Sequence, residues 1–243
     1  MHSRRSLPTF LISIAATLLL PVFHAAALVN GAVYVFDSFG PGTTYSSVHW
    51  VVSGSSAPTF GYQAHAESFV PNVSGYLSQI QLATIVESGL PETDFTISLD
   101  NGSGIPGTAL ESFNNIIDPA NGVLTLSSIT TPLLQAGQKY WLTDRPVSTD
   151  TITGWYENNL GLTGNYAYAN AGTSENWDNL GTAGNPDSAF SISVIPVPEP
   201  STFGLMLLAF AAPVLRSLAR RRIRPLRLLR RKINPAVHNV HAG

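Results

Sequence analysis

Three residue patterns in this 243-residue chain have types and spacings that could do chemistry. The first is aromatic. Tyr156, Tyr166, Tyr168 and Trp177 stand among Asn and Gly late in the chain, whereas Trp141 and Trp155 read as core. An aromatic face left exposed on a loop rim can stack on a sugar ring, while a buried one fills apolar volume. Tyr166, Tyr168 and Trp177 are therefore the expected glycan contacts. The second pattern is His49 with His65 and Glu67. Residues two apart on a strand share a face, so His65 and Glu67 would meet there. Zinc needs at least a third protein ligand, and no His-rich helix supplies it, so these read as polar surface residues with no metal assigned. The third pattern is acidic. Asp100-Asn101-Gly102-Ser103-Gly104 looks like a fragment of a calcium loop but lacks the alternating carboxylates and closing Glu of an EF-hand, which makes it a hairpin turn. The excess of acids still leaves room for one structural calcium ion; no other cofactor is implied.

Catalytic residues are not assigned. No Gly-x-Ser-x-Gly elbow is present, nor are the glycine spacings of a P-loop or a dinucleotide fold. The carboxylate pairs Glu92/Asp94 and Glu175/Asp178 would serve a glycosidase only at a suitable separation, and acids on solvent loops are the simpler reading. A structural or binding role is expected, with a secreted enzyme acting on exopolysaccharide as the alternative.

The elements that must hold these residues are short strands. Thr93–Leu99 alternates with Phe95, Ile97 and Leu99 on one face, and Ser188–Val194 does so through Phe190, Ile192 and Val194. Further strand candidates are 33–36, 49–52, 67–70, 76–86, 109–113, 123–127, 139–142 and 154–156. Asn101-Gly102, Asn121-Gly122, Ala136-Gly137 and Asn165 supply turn chemistry between them. About ten such strands over residues 28–195 predict an all-β fold, an antiparallel β-sandwich of jelly-roll type. The chain has no cysteine, so that sandwich must be held by its apolar core rather than by disulfides.

Charge is segregated. Between Leu28 and Pro200 lie fifteen acids and two bases, a net charge of −13. Such a domain repels nucleic acid, whose binding rests on Lys and Arg neutralising phosphates. The other bases sit at the two ends. Residues 1–27 read as a signal peptide: Arg4 and Arg5, an apolar stretch Leu7–Phe23, then small residues at Ala25 and Ala27 that fit signal peptidase, with cleavage after Ala27 or after Ala26. Near the other end Val197-Pro198-Glu199-Pro200 precedes an apolar run, Phe203–Leu215, and nine Lys/Arg residues from Arg216 to Lys232. Thirteen residues make a helix of about 20 Å, and extension to Ala219 gives about 25 Å, against a hydrocarbon core of ~30 Å. With Arg216 reaching the headgroups, 203–219 is expected to span the membrane. Arg216, Arg220, Arg221 and Arg222 act as the basic stop, which keeps the tail 220–243 cytoplasmic and the acidic domain outside.

The tail resembles the PEP-CTERM sorting signal of Gram-negative bacteria, carried here by Val197-Pro198-Glu199-Pro200-Ser201, the apolar helix and the arginine cluster. That resemblance implies recognition by a membrane-embedded exosortase at Pro198, Glu199 and Pro200, within a linker at 196–202, and release to the cell surface or extracellular matrix. The middle of the chain also resembles the choice-of-anchor type of exported domain, through Phe36-Asp37-Ser38-Phe39-Gly40-Pro41-Gly42, Ile105-Pro106-Gly107 and Ala136-Gly137-Gln138-Lys139-Tyr140-Trp141-Leu142. That resemblance implies export and display and supplies no catalytic residues. The expected partners are the exosortase, the membrane and an exopolysaccharide. A reporter enzyme that works only in the periplasm should be active when fused after Ile195 and silent when fused after Gly243. Activity from both fusions would contradict a single span.

Overall fold

The computed structural model describes residues 31–170, 176–181 and 184–197. Thirteen strands occur among them: β1 (Val33–Asp37), β2 (His49–Ser53), β3 (Ala64–Phe69), β4 (Gly75–Ser88), β5 (Glu92–Asp100), β6 (Pro106–Ile117), β7 (Asn121–Ser127), β8 (Leu133–Leu134), β9 (Tyr140–Pro146), β10 (Ile152–Tyr156), β11 (Tyr166–Ala169), β12 (Asp178–Gly181) and β13 (Phe190–Pro196). All pair antiparallel, in two sheets.

The first sheet is built on β4. Its register places β13 against Gly75–Leu82 and β10 against Thr84–Ser88 along one edge. Along the other edge lie β8 and β7. Beyond β13 comes β1, and beyond β10 comes β2. The second sheet runs β12-β11-β3-β9-β5-β6.

Alternation fills the space between the sheets. Phe95 and Ile97 of β5, Tyr140 and Leu142 of β9, and Phe190, Ile192 and Val194 of β13 all enter one core with Leu77, Ile80, Leu82 and Trp155. The period of two slips near the start of β4, where Leu77 and Ile80, three apart, are both buried. The register of β13 shifts between Ser193 and Val194 opposite that point, so a bulge absorbs the extra residue. The outer faces carry smaller clusters. On the second sheet, Ala64, Ala66, Ala167 and Ala169 form a low floor on which Trp141 and Trp177 lie. On the first, Phe39, Ala83, Tyr156 and Ala189 pack together.

Ten of the strands match runs read from the sequence. The three others are β8, β11 and β12. Asn101-Gly102 and Ala136-Gly137 do make turns, with Gly102 at φ 88° and Gly137 at φ 76°, values that favour glycine. Asn121-Gly122 does not. It opens β7, paired to Ile85 and Thr84, and the chain reverses before it, over Asp118–Ala120. The linker expected at 196–202 begins within the described residues. Pro196 still belongs to β13, and Val197 N donates to Ser74 O at 3.0 Å. Among the described residues no helix is long and apolar enough to cross a membrane. The expected segments 1–27, 203–219 and 220–243 lie outside the described residues.

Because the core is apolar and unsupported by cysteine, Phe190→Ala should lower the unfolding free energy by about 3–5 kcal/mol. Ile129→Ala, at a side chain 86% exposed, should change it by no more than about 0.5 kcal/mol. Urea titration monitored by tryptophan fluorescence measures both.

Candidate functional site: an aromatic groove between the sheets

The register of β11 against β3 sets Tyr166 opposite Glu67 and Tyr168 opposite His65. Directly paired residues share a face, so the two tyrosines, His65 and Glu67 all point toward the first sheet. Trp50 of β2 meets them from that sheet. Its ring stacks on Tyr166 at 4.8 Å and on His65 at 5.4 Å, and its Nε1 donates to Pro186 O at 3.3 Å. Trp155, cross-strand partner of Trp50, stands edge-on to His65 at 5.6 Å. Beside this stack an open groove of about 350 Å³ is lined by Trp50, Gln63, His65, Tyr166, Tyr168 and Leu180, among others. Burial, then the Glu67 charge, pushes the Tyr166 phenol upward, so it remains a neutral hydroxyl. The Tyr168 hydroxyl accepts from Asn170 Nδ2 at 3.1 Å.

His65 and Glu67 share a face, as their spacing predicts, but they are buried rather than on the surface. Glu67, fully enclosed, is held through Oε1. That oxygen accepts from His65 Nε2 at 3.0 Å, from Ser188 N at 3.1 Å and from Ser188 Oγ at 3.1 Å. Ser188 Oγ also lies 3.3 Å from His65 Nε2. These residues form a clasp between β3 and the start of β13, and the burial follows from that bridging role. Ser38 extends it, donating through Oγ to Ser188 O at 2.7 Å and Phe190 O at 3.0 Å.

Ser, His and Glu together resemble a hydrolase triad in composition but not in arrangement. A triad uses both ring nitrogens, the acid on one and the serine on the other. Here the acid and the serine meet the same nitrogen, and the serine hydroxyl donates to the acid. Ser188 is also fully buried.

The remaining sequence candidates separate. Trp177 does not share the groove with Tyr166 and Tyr168. It lies on the opposite face of the second sheet, 7% exposed on the alanine floor, with the Arg145 guanidinium 5.3 Å above its ring. Tyr156 is no rim residue either. It is buried on the outer face of the first sheet, stacked on Tyr45 at 4.8 Å. Both were expected on a rim because their neighbours are Asn and Gly; loops from elsewhere in the chain cover them. Trp141 and Trp155 are core, as read. His49 contacts Glu87 at 2.7 Å, away from His65. In the 100–104 turn, Asp100 accepts from Gly102 N at 2.9 Å and Trp141 Nε1 at 2.8 Å, and Asn101 accepts from Ser103 N at 2.8 Å. Asp94 accepts from Asn115 N at 2.7 Å. Glu175 lies outside the described residues, as do Ala25, Ala27, Pro198, Glu199, Pro200, Arg216, Arg220, Arg221 and Arg222. Among the described residues no three His, Cys, Asp or Glu side chains converge as a metal site.

Sequence reasoning missed Trp50 and Ser188. Trp50 sits in an apolar run that reads as core, and Ser188 joins Glu67 across 121 residues, which no local spacing signals. No family model matches the chain, and no curated protein matches it.

Asp187 lies at the edge of the clasp. Its Oδ1 has no hydrogen-bond partner, and burial, aided by the Glu67 charge, pushes its carboxyl up to about 7. The fold therefore favours the protonated acid. That contribution to stability is full below the unfolded value of 3.8 and is lost as pH rises through about 7. The melting temperature should fall between pH 5 and pH 8, and Asp187→Asn should shrink that fall. An equal fall in the variant would show that other groups set the pH dependence.

Proposed function

We propose that this chain is an exported surface or extracellular-matrix protein whose β-sandwich binds a glycan strand of an exopolysaccharide in the Trp50/Tyr166/Tyr168 groove. The observation that carries this reading is the groove itself. It offers an aromatic wall, a neutral phenol, and the polar ends of Gln63 and Tyr168 beside them. Sugars present apolar ring faces edged by hydroxyls, and such a surface answers both. Among the described lining residues there is no carboxylate, which favours binding over glycoside hydrolysis.

The sequence supports the rest of the reading. Residues 1–27 export the chain, and the sandwich is wound as a jelly roll, a reading that the pairing of its first and last described strands supports. The segment 203–219 anchors it with the domain outward, and Pro198, Glu199 and Pro200 present it to an exosortase. The strongly acidic domain has no use for nucleic acid as a partner.

The full chain, purified in mild detergent, should bind the producer's exopolysaccharide. Tyr168→Ala should weaken that binding about tenfold, or ~1.4 kcal/mol. Tyr76→Ala, an exposed tyrosine on another strand, should leave it unchanged. Undetectable binding, or equal loss in both variants, would refute the groove as a glycan site.

A further inference from the structure

The space between the sheets is mostly apolar, but apart from Glu67 Oε2 and Asp187 Oδ1 at the clasp it holds a second group of oxygen atoms that the fold leaves unsatisfied. Asp144 is 1% exposed, and neither of its carboxylate oxygens has a hydrogen-bond partner. It alternates along β9 with Tyr140 and Leu142, which are core residues, so it points between the sheets. Register locates its neighbours. Asp144 pairs with Phe95 and Pro146 with Thr93, which makes Asp144 and Thr93 diagonal neighbours on the inner face. Thr93 Oγ1 donates to Asp118 Oδ2 at 2.7 Å. Asp118, just past β6, is buried too, and its Oδ1 has no partner.

The opposite sheet contributes two hydroxyls. Thr84 of β4 pairs with Trp155, and Thr153 of β10 pairs with Val86, so the threonines are diagonal neighbours on the inner face of the first sheet. Burial pushes the Asp118 carboxyl up to about 6, and Thr93 and then Thr84, which lies close by, offset part of that rise; neither threonine hydroxyl of the first sheet has a hydrogen-bond partner. Asp144 Oδ1 and Oδ2, Asp118 Oδ1, Thr84 Oγ1 and Thr153 Oγ1 are thus five buried oxygens without partners. Each unsatisfied buried polar group costs about 1–3 kcal/mol, and native folds seldom tolerate several together.

The chemistry of the set is uniform. It holds two carboxylates and hydroxyls; the imidazole of His65, opposite Asp144 on β3, is turned to Glu67 through Nε2, so the set lacks imidazole nitrogen and sulfur. Zinc and softer metals prefer those missing donors. Calcium takes six to eight oxygens at roughly 2.3–2.6 Å in irregular arrangements, including bidentate carboxylates. Magnesium holds on to its water shell, which fits a dry interior poorly. Two carboxylates also match the charge of one divalent cation. We propose that Asp118 and Asp144, completed by Thr84 and Thr153, form a buried calcium site that pins the two sheets together. It is separate from the 100–104 turn, whose Asp100 is engaged by Gly102 and Trp141.

The test uses the full chain in detergent, stripped with EDTA and then titrated with Tb³⁺ under tryptophan excitation. Trp155, the cross-strand partner of Thr84, is the expected sensitiser. The expected result is saturable emission at one ion per chain, displaced by Ca²⁺. Millimolar Ca²⁺ should also raise the melting temperature by several degrees over EDTA, because a ligand bound only by the native state stabilises it. Asp144→Asn and Asp118→Asn should abolish both effects, while Asp100→Asn keeps them. Wild-type protein with no saturable emission and no calcium shift would overturn the proposal and leave the two carboxyls sharing protons. So would an Asp144→Asn variant that binds as the wild type does. If neither Asp variant folds, Thr153→Val decides: several-fold weaker Tb³⁺ binding supports the site, and unchanged binding overturns it.

Discussion

Glu67 Oε1 takes three hydrogen bonds in the sealed space between the sheets, one from His65 Nε2 and two from Ser188. Glu67 Oε2 has no partner, so these three bonds are what offset the desolvation of the carboxylate, and removing one leaves the charge or the donors stranded. Much of the architecture follows from that requirement. β3 lies inside the second sheet, and Ser188 stands two residues before β13 of the first, so the bonds fix where the two sheets meet. They also fix the His65 ring. Trp50 and Tyr166 stack on it and Trp155 closes one edge, so the aromatic groove inherits its shape from a bond it does not contain.

The two outer faces differ from the interior in how they use size. Trp141 and Trp177 rest on four alanines whose small side chains let an indole lie close to the sheet. Larger residues there would lift the rings and leave Trp141 Nε1 short of Asp100, 2.8 Å away. The inner face is the reverse: bulky rings from both sheets interlock, and Phe190 touches Phe36, Phe69 and Trp155. An alternating strand can serve both regimes at once because successive side chains leave on opposite sides.

That alternation is also what made the fold readable. Thr93–Leu99 and Ser188–Val194 announce their buried faces without help from any other part of the chain. Trp177 and Tyr156 show the limit. Alternation says which residues share a side, but whether that side is covered depends on loops and strands distant in sequence. β11 was hidden for a related reason: Tyr-Ala-Tyr-Ala alternates, but the Asn residues around it read as loop. β12, Asp-Asn-Leu-Gly, carries turn composition and becomes a strand only because β11 offers it an edge. At the site, the shared face of His65 and Glu67 was legible from a spacing of two. Their partner Ser188 and the covering Trp50 were not, because the clasp and the ring stack exist only once two sheets have come together.

β1 pairs with β13, Val33 opposite Val194, so the first strand and the last are neighbours. β13 also covers more than half of one edge of β4, the strand on which the first sheet is built. The ordering of events in time follows from this. A chain made from its N-terminus presents β4 early, but that edge waits for more than a hundred further residues before its partner exists. Closing so long a loop is slow, and native topologies rich in distant pairings fold late. Until β13 arrives, β1 and β4 both show bare backbone that another chain can claim. Folding and delivery of the last strand are therefore one event, and whatever holds the growing chain apart from its copies until residue 196 has emerged protects the whole domain.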